Sequence, residues 1–200
     1  MEKSEAKRKL NNTYFLVRHG STVYQEGRKK IIYPWPELKP IVLTEKGIKQ
    51  AKKAGERLKK EKVDLIYSSD IPRARQTAEI IAKEIKREPN FSRALREIDT
   101  GIFQGKGIKS YWQFLFSSKN PFSIAPPKGE SLKECQNRVF SFWRKLEREY
   151  KKKKIIIVSH GAPLWLLEAK IKGWSWKEAM QRKSSGYCLD TGEIRVVKTS

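Results

Sequence analysis

Both histidines of this 200-residue chain stand in the same local pattern, an apolar run suited to a buried strand that ends in histidine and glycine. The pattern occupies residues 14–20, where the histidine is His19, and residues 155–161, where it is His160. Glycine fills 12 of the 200 positions, so composition alone would place both histidines before glycine with a chance of ~0.004. Ligands of open α/β sheets bind beyond the carboxyl ends of the strands. We therefore predict that both imidazoles project into one site.

The rest of the chain alternates strand-like and helix-like segments, which predicts an α/β fold: a three-layer sandwich with a mostly parallel central sheet flanked by helices. Strands are predicted at 14–19, 63–69, 91–97 and 155–159, and a closing hairpin at 187–189 and 194–197. Helices are predicted at 44–60, 72–86, 108–117, 131–150 and 162–172, with another beginning after Ser175. Three prolines in residues 21–40 predict a long loop over the end of the first strand, and Asp70 is predicted to cap the second helix.

Length and composition predict one domain that is large enough to bury its own core. Residues 1–12 are basic and lack the apolar stretch of a signal peptide, so we predict a flexible arm there and a single domain over residues 13–200. No stretch approaches the roughly 20 apolar residues that span a membrane. The two cysteines lack metal-ligand and redox spacing. These features predict a cytoplasmic protein without a membrane partner.

The formal net charge of +22 has three interpretations: a surface that binds nucleic acid or another polyanion, a field that steers phosphorylated substrates, or simple lysine enrichment. The basic residues are mostly lysines scattered among glutamates along the predicted helices. Scattered charge of this kind is typical of a solvated face. We favour the solvated face and predict no specific nucleic-acid partner.

Basic and acidic side chains follow the predicted strands at the edge where a ligand would bind. Arg18 and His19 follow the first strand, Arg73 the second, Glu97 the third and His160 the fourth. Guanidinium groups match phosphate oxygens bidentately, a neutral imidazole can attack phosphorus, and a carboxylic acid can protonate the leaving oxygen. The pattern therefore indicates a phosphoryl-transfer site. Taken singly, the arginines are better explained as surface ion-pair residues and His160 as a packed core histidine.

Six ordered sequence blocks extend this pattern over most of the chain. Residues 18–22 read Arg-His-Gly-Ser-Thr, and residues 43–51 read Leu-Thr-Glu-Lys-Gly-Ile-Lys-Gln-Ala. The other four blocks are residues 68–78, 95–105, 127–131 and 158–161. In this order the blocks resemble the histidine phosphatase superfamily, in the branch that includes cofactor-dependent phosphoglycerate mutases and small phosphatases. The resemblance extends from residue 14 to about residue 163.

The resemblance implies a role for each of the five residues at the strand ends. His19 is implied as the nucleophile that becomes phosphohistidine. Arg18, Arg73 and His160 would hold the phosphoryl oxygens. Glu97 would donate a proton to the leaving group and later act as the base for water. The resemblance implies neither a metal nor another cofactor, because the cationic side chains take the place of a metal ion.

Two other carboxylates compete with Glu97 for the role of proton donor. Glu130 lies in the Gly-Glu-Ser segment and Asp99 lies two residues beyond Glu97. The spacing of the sequence leaves all three candidates open, with Glu97 favoured by its position in the block at 95–105.

Four further residues are predicted to line the mouth of the site and contact the substrate: Thr22, Gln25, Arg28 and Gly161. Gln25 stands where the family commonly has asparagine, seven positions after the first arginine of the site. The longer amide of glutamine can still reach a phosphate, so we keep it in the predicted set.

Three functions fit these residues, and they differ in what accepts the phosphoryl group. We favour a metal-independent phosphomonoester phosphatase acting on a small phosphorylated metabolite. The reason is that the segment 106–127 is short and contains many aromatic side chains but few cations. A phosphoglycerate mutase-type phosphoryl transfer is the alternative. A non-catalytic protein that binds polyanions is a third possibility. The sequence leaves the oligomeric state open between a monomer and a dimer.

Overall fold

The computed structural model describes residues 10–27, 30–34, 37 and 39–198. The strands are β1 (Thr13–Arg18), β2 (Leu65–Ser68), β3 (Pro89–Phe91), β4 (Lys154–Ser159) and β5 (Ile194–Val197). They form one sheet in the order β3-β2-β4-β1-β5, in which neighbouring strands are parallel except for the antiparallel pair of β1 with β5. The mostly parallel sheet that the sequence predicts is therefore confirmed.

Helices cover both faces of this sheet. They are α1 (Val23–Glu26), α2 (Glu45–Lys59), α3 (Pro72–Ile85), α4 (Ile108–Phe116), α5 (Leu132–Glu149), α6 (Gly161–Ile171) and α7 (Trp176–Ser184). Side chains of β1 point alternately to the two faces, with Phe15 and Val17 packing against α2 and α3. Tyr14 and Leu16 pack in a second core against α5 and α6. This arrangement confirms the predicted three-layer sandwich.

The register of the two central strands brings the histidines together. Arg18 lies opposite Ser159 in the parallel pair of β1 and β4, so the next residues, His19 and His160, leave the sheet side by side. Both strands are almost completely buried. Burial of each large apolar side chain contributes about 1.5–3 kcal/mol. A one-residue slip would move every side chain of the strand into the opposite core, where the packing does not match it, and this fixes the register.

Side-chain caps begin the helices that pack around the site. Thr44 accepts a hydrogen bond from Gly47 N at the start of α2, and Ser131 forms a capping box with Glu134 at the start of α5. Such caps stabilise a helix by about 1 kcal/mol each. The predicted cap of α3 is wrong, because the carboxylate of Asp70 binds Arg96 instead and α3 begins without a side-chain cap.

The third strand is shorter than predicted and lies earlier in the chain. Residues 91–97 were expected to form it, but β3 ends at Phe91, and Arg93–Leu95 forms a 3₁₀ turn. The hydroxyl of Ser92 accepts a hydrogen bond from Ala94 N and starts this turn, which removes the backbone from the sheet edge. Glu97 therefore follows a turn rather than a strand.

The predicted closing hairpin is wrong in its first arm. Only β5 pairs with the sheet, and residues 187–189 form no strand. Leu189 instead packs in the core, and its carbonyl accepts a hydrogen bond from the Arg18 side chain. Gly192 N then donates to the Arg18 and His19 carbonyls, so the backbone before β5 binds residues of the site instead of pairing with another strand.

Residues just before Thr13 also make hydrogen bonds with the rest of the fold. Asn11 and Asn12, which the sequence assigns to the flexible arm, donate hydrogen bonds to Glu147 and Tyr150 near the end of α5. These two residues thus belong to the packed fold, whereas residues 1–9 lie outside the described residues. No helix in the described ranges combines the length and the apolar character that crossing a bilayer requires.

Candidate active site

His19 is buried at the carboxyl end of β1 with one tautomer selected by the backbone. Its Nδ1 lies 2.8 Å from the carbonyl oxygen of Gly20. A carbonyl oxygen only accepts, so Nδ1 carries the hydrogen and Nε2 keeps its lone pair. Burial, followed by the charges of Arg73 and Arg18, holds the pKa of His19 well below its ordinary value of 6.5. The imidazole is therefore neutral and nucleophilic at neutral pH.

Gly20 permits the close approach of β1 to α2. A Cβ on Gly20 would lie 2.5 Å from the carbonyl oxygen of Gly47, which is closer than real atoms come. Gly20 N also donates a hydrogen bond to Thr77 Oγ1 of α3 at 3.0 Å. The backbone that orients His19 is thus fixed by two helices.

His160 lies beside His19 at the end of β4. The two ring centroids are 5.2 Å apart, and His160 Nε2 lies 2.9 Å from Ser69 Oγ. Its Nδ1 is buried and has no hydrogen-bond partner among the described residues. Burial, then the charges of Arg73, His19 and Arg18, lower the pKa of His160 as well. A protonated Nδ1 or Nε2 here can donate to an anionic oxygen.

Arg18 and Arg73 supply the positive charge around the two histidines. Arg18 Nη1 donates to the carbonyl oxygen of Leu189 at 2.9 Å, and Arg73 Nη1 binds Glu37 Oε1 at 2.6 Å. The Nε atom of each arginine is buried without a hydrogen-bond partner within the described part of the chain. Unpaired buried donors are rare and costly, so their concentration around His19 suits a ligand with several anionic oxygens.

A cavity of about 720 Å³ opens at these side chains. Its wall includes Arg18, Arg73, Glu97 and Gly161. The His19 and His160 imidazoles do not line the wall themselves but are buried behind it, close enough to Arg73 and Arg18 for the two arginines to lower both histidine pKa values. The structure thus brings the five residues predicted at the strand ends to one place. A cavity of this size accommodates a small phosphorylated metabolite.

Of the carboxylates in the cavity wall, Glu97 is the least committed to structure. Glu97 Oε1 accepts a hydrogen bond from Ile98 N at 3.0 Å, and no ion pair involves Glu97 in the described ranges. Glu130 pairs with Arg138 through both oxygens and also accepts from Asp99 N. Asp99 itself accepts hydrogen bonds through Oδ1 from its own loop. These contacts favour Glu97 as the proton donor.

Thr22 and Gln25 form a capping box for α1. Thr22 accepts from Tyr24 N, and Gln25 Oε1 accepts from Thr22 N at 3.0 Å. Gln25 Nε2 donates to Tyr33 Oη at 2.7 Å, so the amide is held within the loop. Gln25 still lines the cavity, whereas the Thr22 hydroxyl is buried against Tyr33.

Of the other two residues predicted at the mouth of the site, one lines the cavity and one lies outside the described residues. Gly161 lines the cavity at the first position of α6, where a Cβ would come within 3.5 Å of the Arg18 guanidinium carbon. The absence of a side chain leaves this part of the wall open to a ligand. Arg28 lies outside the described residues.

Tyr33 and Glu37 contact the site and were missed in the sequence. The Tyr33 ring covers the Arg73 guanidinium at 3.8 Å and stands edge-on to the His19 ring at 6.3 Å. Both residues belong to the proline-containing loop, where no periodicity indicates which side chains point inwards. Ser69, which contacts His160, lies in the block at residues 68–78 that resembles the family, so the sequence could have indicated it as a site residue.

The aromatic region that the sequence places after Glu97 divides between wall and core. Tyr111 and Trp112 of α4 line the cavity together with Trp165 of α6. Phe103 and Phe114 pack with Tyr111 in a small core beneath this wall. The aromatic side chains of this region therefore form both the cavity wall and a core beneath it.

Comparisons with known proteins agree with this geometry. The sequence profile of the histidine phosphatase superfamily (branch 1) matches residues 14–195. A Schizosaccharomyces pombe protein named phosphoglycerate mutase is 31% identical over 185 residues, which cover 86% of this chain and 85% of that protein.

Two solved structures share the fold at lower sequence identity. A phosphoserine phosphatase mutant from Entamoeba histolytica, solved with phosphoserine, superposes with a TM-score of 0.76 at 24% identity and covers 94% of this chain and 95% of its own. A putative alpha-ribazole-5'-P phosphatase from Escherichia coli gives a TM-score of 0.76 at 23% identity, with 96% and 92% covered. The match over nearly the whole length confirms the resemblance of the six blocks. The chain belongs to the histidine phosphatase superfamily.

Proposed function

We propose that this protein is a phosphomonoester phosphatase that acts through a phosphohistidine at His19 Nε2. The observation that carries the proposal is the His19 tautomer: the Gly20 carbonyl holds the Nδ1 hydrogen and leaves the Nε2 lone pair beside two arginines. Phosphatase names among the structural neighbours and the cavity size support a small phosphorylated metabolite as the substrate. The Nδ1–H bond also stabilises the positive charge that the ring gains when Nε2 binds phosphorus.

The reaction proceeds in two displacements at phosphorus. In the first, Nε2 of His19 bonds to phosphorus as the bond to the ester oxygen breaks, and the carboxylic acid of Glu97 gives its proton to that oxygen. In the second, the Glu97 carboxylate removes a proton from water, whose oxygen bonds to phosphorus as the phosphorus–nitrogen bond breaks. Inorganic phosphate leaves, His19 is neutral again, and Glu97 is again protonated.

Arg18, Arg73 and His160 are proposed to stabilise the phosphoryl oxygens through both steps. Guanidinium and imidazole donors held in a water-poor site stabilise developing charge strongly because they need no reorganisation. This set of cations makes a metal ion unnecessary for the proposed chemistry, so we propose a metal-independent enzyme without a further cofactor. Thr22, Gln25, Arg28 and Gly161 remain proposed substrate contacts.

A mutase is the second candidate, and the named relative from Schizosaccharomyces pombe favours it. In that case the phosphoryl group on His19 would return to another hydroxyl of the bound molecule instead of passing to water. Lys30, Lys128 and Lys183 also line the cavity and could retain a second phosphate during this exchange. The two reactions share every step up to the phosphohistidine.

One assay separates these functions. Purified protein is incubated in excess EDTA with p-nitrophenyl phosphate, with a panel of metabolite phosphates, and with 3-phosphoglycerate plus 2,3-bisphosphoglycerate. Phosphate release supports the phosphatase, and interconversion of phosphoglycerates without phosphate release supports the mutase. Neither activity, together with tight polyanion binding, would instead favour the non-catalytic alternative. The cytoplasmic location, the division into arm and domain and the oligomeric state stay predictions.

A further inference from the structure

Glu37 lines the cavity and contacts one of the proposed phosphate ligands. Its Oε1 accepts a hydrogen bond from Arg73 Nη1 at 2.6 Å, and its Oε2 accepts one from Ile41 N at 2.8 Å. The two side chains of this ion pair are only 2% and 5% exposed. Both carboxylate oxygens are thus occupied by groups of the protein. A buried ion pair must overcome a large desolvation cost, so it is weak evidence for stability alone.

The contacts of Arg73 hold its guanidinium group at two points. Glu37 binds the outer nitrogen Nη1, and the Tyr33 ring lies against the guanidinium at 3.8 Å. Among the described residues, Nη1 is the nitrogen of Arg73 that has a hydrogen-bond acceptor, while Nε is buried without one. A free arginine side chain samples many rotamers, and such contacts restrict them before a ligand binds.

Arg18 shows the same arrangement with a different anchor. Its Nη1 donates to the Leu189 carbonyl at 2.9 Å, and its Nε is likewise buried without a partner in the described part of the chain. In both arginines one outer nitrogen is bound to the protein, and the Nε edge has no acceptor among the described residues. The parallel indicates that anchoring through Nη1 is a feature of the site rather than an accident of one loop.

We propose that Glu37 is a positioning residue: it anchors Arg73 through Nη1 so that Nε and Nη2 meet the phosphoryl oxygens. The inference rests on the proposed function, because it assigns Arg73 to the phosphoryl group. Glu37 itself touches no reacting atom in this scheme. Its second hydrogen bond, from Ile41 N, connects the placement of Arg73 to the loop that covers the site.

A competing role predicts the opposite result. If Glu37 occupied Arg73 in place of phosphate, it would act as an internal inhibitor that the substrate must displace. Removal of the carboxylate would then tighten phosphate binding and raise kcat/KM. Under the positioning role, removal of the carboxylate weakens phosphate binding and lowers kcat/KM. The sign of the effect therefore distinguishes the two roles.

The test compares Glu37→Ala and Glu37→Gln in the full chain, each alone and combined with Arg73→Ala. Turnover of p-nitrophenyl phosphate and the affinity for inorganic phosphate by calorimetry are measured, and circular dichroism confirms folding. Glu79→Ala is the matched control, since Glu79 pairs with Arg75 on the same helix as Arg73 but both side chains are about half exposed. Glu37→Gln guards against misfolding because its amide oxygen can still accept from Arg73 Nη1.

We expect Glu37→Ala to lower kcat/KM by about 10–100-fold, since small errors in placement cost up to about 10²-fold. Glu37→Gln should retain most activity, and Glu79→Ala all of it. In the Arg73→Ala background the Glu37 effect should vanish, which a purely structural role would not produce. An equal loss in that background, no loss at all, or tighter phosphate binding would overturn the proposal.

The two proposals fail in distinguishable ways. A wild-type protein without turnover that still binds inorganic phosphate would refute the phosphatase, whereas weaker phosphate binding by Glu37→Ala would continue to support the positioning role. A protein that neither turns over nor binds phosphate would overturn both.

Discussion

At the scale of single residues, the chemistry depends on which nitrogen of His19 is free. The Gly20 carbonyl oxygen settles this by accepting a hydrogen bond from Nδ1–H, and burial, followed by the charges of Arg73 and Arg18, keeps the ring uncharged by lowering its pKa. A positively charged ring would have no lone pair to offer phosphorus. The same arginines that we propose as ligands of the phosphoryl group thus also help to keep the proposed nucleophile uncharged.

Substitution of the nucleophile gives the most direct prediction. His19→Ala should abolish turnover, because it removes the proposed acceptor of the phosphoryl group, while circular dichroism should show an intact fold. Wild-type protein quenched during turnover should carry a phosphoryl adduct that is acid-labile and stable in alkali, detectable by mass spectrometry at His19. Substantial residual activity of His19→Ala would refute the assignment.

The depressed histidine pKa values predict how stability varies with pH. In the folded protein the pKa of His19 and of His160 lies well below 6.5, whereas in the unfolded chain it is near 6.5. Between these values the unfolded state binds more protons, so the free energy of unfolding falls as pH falls below about 6.5. Each histidine contributes a slope of up to about 1.4 kcal/mol per pH unit.

Denaturant unfolding between pH 4.5 and 7.5 measures this slope. The chain has two histidines, so His160→Asn should lower the slope and the double variant with His19→Asn should remove it in the range above pH 5. Carboxylates with lowered pKa, such as Asp64 and Asp70, act at lower pH. An unchanged slope in the double variant would show that other groups are responsible.

The role of Glu97 is tested by the leaving group. Glu97→Gln should reduce the hydrolysis of an alkyl phosphate by about 10²–10⁴-fold, the range that general acid catalysis contributes. p-Nitrophenyl phosphate should lose far less rate in the same variant, because nitrophenolate leaves without a proton. Equal losses for both substrates would make Glu97 a structural residue, and Glu130→Gln would then be the next variant to measure.

At the scale of elements, the sequence predicted those parts that follow from local chemistry. The central strands, the caps of α2 and α5 and the meeting of the two histidines depend on apolar runs, hydroxyl residues and the parallel register. The end of β3 and the segment before β5 depend on which backbone groups find partners across the fold. Local patterns carry no record of such partners, so these predictions were wrong.

The same limit explains the two residues of the site that were missed. Tyr33 and Glu37 both contact Arg73 from the segment between β1 and α2. Prolines predicted that loop but gave no periodicity from which inward side chains could be identified. Glu97 lies in the cavity wall, although the element before it is not the expected strand.

The contact between β1 and α2 leads to a prediction about glycine. Gly20→Ala should destabilise the fold by about 1–3 kcal/mol, the usual cost of overpacking, because its Cβ would meet the Gly47 backbone. Gly107→Ala is the matched control, since a Cβ there has no neighbour within 4 Å. Denaturant midpoints compare the two, and equal stability would mean that the packing can yield without cost.

At the scale of the whole molecule, the chain and the cavity wall both carry an excess of positive charge. The cavity wall contains eight basic and four acidic side chains among the described residues, within a chain of net charge +22. Surface lysines and cavity cations therefore attract phosphorylated substrates together. This explains how a solvated basic surface can assist an enzyme without forming a specific nucleic-acid site.

Ionic strength should separate this attraction from the chemistry. Salt screens exposed charges over about 8–10 Å, so kcat/KM should fall between low and moderate salt. The proposed contacts of Arg18 and Arg73 with the phosphoryl group involve buried nitrogen atoms, which salt screens less, and kcat should therefore change little. Steady-state kinetics from 20 to 300 mM NaCl, roughly a fourfold change in Debye length, measure both constants. The affinity of an uncharged inhibitor that binds in the cavity should not depend on salt. A parallel fall of kcat and kcat/KM would instead show that salt acts on the reaction in the site rather than on the encounter with the substrate. Nucleic-acid binding that is sequence-selective and survives physiological salt would contradict the interpretation of the lysines as a steering surface.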